Sequence, residues 1–124
     1  LSTLLLFDLL QNNSDRFSGG NLLGSPDGRV LYFMDNAFGF QVDPDGHQRC
    51  WSYLKRAQKF SRSFFIALHD LDKPRLAAAL AQDPSGALLT DEEMDALLGR
   101  RDRALRYLRG LFGEFGEDKV LVFP

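Results

Sequence analysis

The sequence predicts an α+β fold that is mainly helical, with one small β-hairpin near its start. Two observations carry this. Short apolar runs flank the turn signal Ser25-Pro26-Asp27-Gly28, while helical periodicity and the capping box Thr90-Asp91-Glu92-Glu93 dominate the second half. A single domain is the expectation for 124 residues, and 44% hydrophobic composition suffices for a buried core.

A helix is expected over residues 4–11 with Ser2 or Thr3 as its cap, and apolar residues on all its sides imply burial. Residues 12–20 are loop formers, and strands are expected at 22–24 and 30–34 around the Pro-Asp-Gly turn. Residues 42–46 read as a second turn. From Arg49 the pattern becomes helical. Residues 61–71 place Phe64, Phe65, Leu68 and Leu71 near one face, and Pro74 suits the first turn of a helix over 75–81, which Asp83-Pro84-Ser85-Gly86 ends. Thr90 caps a helix running to Leu98, and Gly99 is expected to separate it from a longer helix over 100–115. There Leu105, Leu108, Leu111 and Phe112 form the apolar stripe, and Arg100, Arg103, Arg106 and Arg109 read as a solvated face. Residues 120–123 form a terminal strand or a packed tail.

Eleven Phe residues predict a core built on aromatic packing, and a net charge of −2 gives no basic field for nucleic acid. The lone Cys50 excludes an internal disulfide and a multi-cysteine zinc site, and it is expected in the core beside Trp51. Residues 1–10 are too short to span a bilayer, and with Asp8 and no basic leader they do not read as a signal peptide. Asp8 is assigned a structural role, holding the loop that follows. His47 and His69 lack metal-ligand spacing, and Asp43 and Asp45 belong to a turn rather than a calcium loop.

The chemistry concentrates in two polar motifs on either side of the hairpin: Asn12-Asn13-Ser14-Asp15-Arg16 with Asn21, and Met34-Asp35-Asn36. A loop carboxylate followed by a second carboxylate, at the end of what reads as a buried strand, suits phosphoryl transfer. Asp15 can orient an acceptor hydroxyl or take its proton, Arg16 can pair with a phosphate or brace the loop, and Asn21 and Asp35 offer oxygen ligands for a hard cation, with Asn36 assisting.

These residues resemble the catalytic and metal-binding loops of atypical kinases, most closely the four-jointed and secretory-pathway casein kinase group within the wider phosphoinositide 3/4-kinase-like superfamily. The resemblance implies a kinase C-lobe-like fold whose hairpin carries both loops. Asp15 would be the catalytic aspartate with Arg16 beside it, and Asn21 and Asp35 would hold Mg²⁺ or Mn²⁺ with the phosphates of ATP. It further implies a hydroxyl-bearing acceptor, expected to be a protein. Asn21 stands one residue farther from Asp15 than the family pattern places it, and Phe17 stands where His is common. No glycine-rich phosphate loop or strand lysine precedes the motif. A nucleotide-binding N-lobe of roughly 100 further residues is therefore expected from the parent chain or a partner chain, and the chain alone is not expected to be active. The alternatives are a degenerate kinase-like binding module and an unrelated helical interaction domain.

Overall fold

The computed structural model describes residues 1–86 and 88–124; the architecture is α+β, about half helical, with two small sheets. Helix α1 (Ser2–Gln11) buries eight of its ten residues. It starts at Leu1 without a side-chain cap, so the expected Ser2 or Thr3 cap is corrected: both lie inside the helix. Burial of a leucine-rich surface, not capping, holds this end. The helix stops at Asn12, whose left-handed φ of 61° is one that Asn tolerates better than most residues.

Strands β1 (Leu22–Gly24) and β2 (Leu31–Phe33) form the antiparallel hairpin, with Leu22 opposite Phe33 and Gly24 opposite Leu31. The Gly28 N–H donates to the Ser25 carbonyl at 2.9 Å and Gly28 takes a φ of 70°, closing the expected turn. The expected burial of the second strand is overturned: Leu31, Tyr32 and Phe33 are all exposed. A two-stranded ribbon cannot cover its own faces.

His47 caps α2 (Gln48–Leu54), its Nδ1 accepting the Arg49 N–H at 3.1 Å. Next come β3 (Phe60–Ser61), α3 (Arg62–Asp70, capped by Ser61) and α4 (Lys73–Leu80, capped by Asp72 with Pro74 in its first turn). Helix α5 (Asp91–Phe115) begins with the complete Thr90–Glu93 capping box. After α6 (Glu117–Val120), β4 (Leu121–Phe123) pairs in parallel with β3.

Three further expectations are corrected. Gly99 does not divide α5, which is one helix of 25 residues. A Cβ at Gly99 would lie 2.8 Å from Pro44 Cβ, so this glycine lets the 42–46 turn lie against the helix. Arg100 is not solvated but fully buried, its stem passing beneath Gly46 to reach backbone carbonyls. The core is aliphatic rather than aromatic: Leu5, Leu6, Leu9, Leu54, Leu105 and Leu108 build it, and Phe60 alone among the phenylalanines is fully buried. Phe7, Phe17, Phe33, Phe38, Phe115 and Phe123 are exposed. Cys50 lies in the core as expected.

Candidate functional site

The site grows out of the end of α1. Because this helix is apolar on every side, Asp8 has no water to face and is 3% exposed. A buried carboxylate requires a partner. Arg16, 1% exposed, supplies it: Nη2 meets Asp8 Oδ1 at 2.9 Å and Nε spans both Asp8 oxygens at 3.1 Å. Gln11 Nε2 adds a bond to Asp8 Oδ1 at 3.0 Å.

The remaining guanidinium donors reach both motifs. Nη1 donates to the Asn21 carbonyl at 3.1 Å and the Met34 carbonyl at 2.9 Å, and Nη2 donates to Asn36 Oδ1 at 2.6 Å. The Met34 N–H donates to the Asn21 carbonyl at 2.9 Å, extending the hairpin to the residue before Asp35. The loop and the strand end are thus tied to one buried cation. Of the two roles open to Arg16, bracing is the one its bonds fill; each of its N–H groups is engaged within the protein.

Asp15 and Asn21 lie in direct contact. Asn21 Nδ2 donates to the Asp15 carbonyl at 3.0 Å and to Asp15 Oδ2 at 3.3 Å. The Asp15 N–H is fixed by Asn13 Oδ1 at 3.1 Å, so Asn13, not Asp15, makes the loop's local side-chain turn. Asp35 is exposed and left-handed, with a φ of 49°, and its Oδ1 accepts the Ala37 N–H at 3.3 Å. Such a backbone state in a residue other than glycine costs of order 1 kcal/mol and persists where its surroundings impose it. Asn36 Oδ1 is taken by Arg16 and by Asn13 Nδ2, which approaches at 3.3 Å, so this atom serves the brace.

Asn12 and Asn13 do more than the sequence reading gave them. Both are 2% exposed; Asn12 Oδ1 accepts the His47 N–H at 2.6 Å and the Asn13 N–H donates to the Asp8 carbonyl at 2.8 Å. The available signal was a polar Asn pair directly after an all-apolar helix. Behind the loop, Cys50 Sγ lies 3.4 Å from the Asn13 carbonyl. Burial, and then the nearby Asp8 charge, push its thiol up to about 11. On the Phe17 side a groove of about 580 Å³ opens, lined in part by Leu5, Phe17, Tyr53, Arg56 and Lys59.

Among the described residues no group of three or more Asp, Glu, His or Cys side chains gathers as a metal site. The structure joins Asn21 to Asp15, whereas the Asp35 carboxylate bonds only the Ala37 N–H among the described residues; by residue type the three would offer oxygen ligands to Mg²⁺ or Mn²⁺. No protein-family model, curated protein or solved structure matches the chain.

Proposed function

We propose that this chain is the catalytic portion of an ATP-dependent kinase that transfers the γ-phosphoryl group to a hydroxyl, in the first instance of a protein. The observation that carries the reading is the buried Asp8–Arg16 pair, whose bonds tie the Asp15–Asn21 loop to the Met34–Asn36 strand end. Two polar segments are fixed together at an internal cost in buried charge, which packing alone does not require.

In this reading Asp15 orients the acceptor hydroxyl and takes up its proton. Asn21 and Asp35 would hold Mg²⁺ or Mn²⁺, and the ion would neutralise charge on the ATP phosphates. Arg16 is a positioning residue that acts through the loop it holds. The groove beside Phe17 is available to an acceptor side chain. An N-lobe, from the parent chain or a partner chain, covers the nucleotide. The exposed apolar strip of Leu31, Tyr32, Phe33 and Met34, running up to Asp35, offers it a surface.

One observation favours a second reading. The Asn21 amide donates to Asp15 Oδ2, occupying part of the carboxylate assigned to catalysis. A degenerate kinase-like module that binds nucleotide without turnover fits that bond. The test uses the full-length protein. Asp15→Ala and Asp35→Ala should each abolish phosphoryl transfer and shift stability by less than about 1 kcal/mol, since neither carboxylate is buried. Undiminished transfer in both variants rules out the kinase reading. Metal-dependent ATP binding without turnover in the wild type selects the degenerate module, and absence of nucleotide binding leaves an interaction domain.

A further inference from the structure

Away from the Asp15 site, α2 and α5 enclose a cleft of about 430 Å³. Lys55 approaches from the end of α2, and Arg103 and Arg106 from α5. Trp51 and Tyr107 also line it, their rings meeting edge-on at 6.2 Å. Among the described residues lining the cleft none is acidic, though Asp45 pairs with Arg103 beside it. Gly46 forms part of the wall; a Cβ there would come within 2.9 Å of Leu9 Cδ1, so a bare residue keeps the loop close to the core.

Arg103 is held in place. Its guanidinium lies over the Trp51 ring at 5.3 Å and meets Asp45 Oδ1 at 2.6 Å, while the Trp51 indole N–H donates to the Asp45 carbonyl at 2.7 Å. Lys55 and Arg106 enter no ion pair among the described residues. Three cationic residues thus line one cleft with a single carboxylate paired to one of them, leaving two positive charges unpaired among the described residues in a chain whose net charge is −2. Like charges brought together from two helices repel unless an anion joins them. A dianion matches the surplus, and arginine forks favour the oxygens of a phosphate.

We infer that the cleft between α2 and α5 binds a phosphate dianion, either free or as a monoester. The inference uses no residue of the Asp15 site and stands or falls separately from the kinase reading. Trp51 is the sole tryptophan, so its fluorescence reports on this cleft. The full chain is titrated with inorganic phosphate and with O-phosphoserine at constant ionic strength, with serine, sodium chloride and succinate as controls. A saturable change with at least one phosphate is expected. The double variant Lys55→Ala/Arg106→Ala should weaken that response by about tenfold or more, since two charge-assisted contacts are lost. Both side chains are exposed, so the melting temperature should hold. Equal affinity for the two probes marks the bare dianion as the ligand, and tighter binding of phosphoserine marks a monoester. No saturable change with either probe overturns the inference. So does an undiminished response in the double variant, or succinate binding as tightly as phosphate.

Discussion

Arg16 and Arg100 are both fully buried, and the protein treats them in opposite ways. Arg16 faces a buried carboxylate and spends every donor. Among the described residues no carboxylate bonds to Arg100. Its Nε donates to the Leu10 carbonyl at 2.8 Å, its Nη1 to the Gln41 and Asp43 carbonyls at 3.0 and 2.6 Å, and its Nη2 finds no partner among the described residues. Burial accordingly lowers its pKa, with the charges of Asp43 and Cys50 opposing the shift. The bonds end in different places. Those of Arg16 reach the two motifs that carry Asp15, Asn21 and Asp35. Those of Arg100 reach only backbone, joining the end of α1 and the 41–43 segment to α5. One arginine ties two polar segments to a buried acid; the other ties stretches of backbone to α5.

The comparison can be broken by mutation. Arg16→Met strands the Asp8 carboxylate inside the protein and should cost about 3–5 kcal/mol in urea unfolding. Arg100→Met leaves carbonyls unbonded but also removes a buried cation to which no carboxylate is bonded, so a smaller loss of about 1–3 kcal/mol is expected. Equal losses would mean that the carboxylate partner is not what separates the two sites. Cys50 sharpens the contrast, since it feels Asp8 and Arg100 in opposite senses. Its thiol rises from 9.0 to about 11 through burial first and the Asp8 charge second, with Arg100 pulling it down. Between pH 9 and 11 the unfolded chain loses this proton while the folded one keeps it. The thiol's contribution to stability is therefore intact below pH 9 and lost as pH rises through 11. Thiolate absorbance should place the titration higher still in Arg100→Met and lower in Asp8→Asn. Movement in the reverse directions would show that these charges do not reach the thiol.

What the sequence disclosed was local. The hairpin about Pro26-Asp27-Gly28, the Thr90–Glu93 box, Pro74 at a helix start and the burial of α1 are each written in neighbouring residues, and each is present. What it withheld depends on partners far along the chain. Gly99 reads as a helix breaker until Pro44 is seen against it, and Arg100 reads as one of a solvated series until the Leu10 carbonyl claims it. The two-residue β3 has too little sequence to announce its pairing with β4. At the candidate site the sequence singles out the two motifs, but the brace that joins them is only half legible. Asp8 stood out as an acid in a leucine run, whereas its match with Arg16 needed the turn that Asn12 and Asn13 make.

The bond from Arg100 to Leu10 joins positions 90 residues apart. On the ribosome, α1 emerges long before α5, which completes the cover that α2 begins. At roughly 5–20 residues per second, the leucine-rich face that α5 covers waits roughly 5–20 s for it. During that interval part of the α1 surface stays open to solvent, and slowing translation between α1 and α5 would lengthen its exposure.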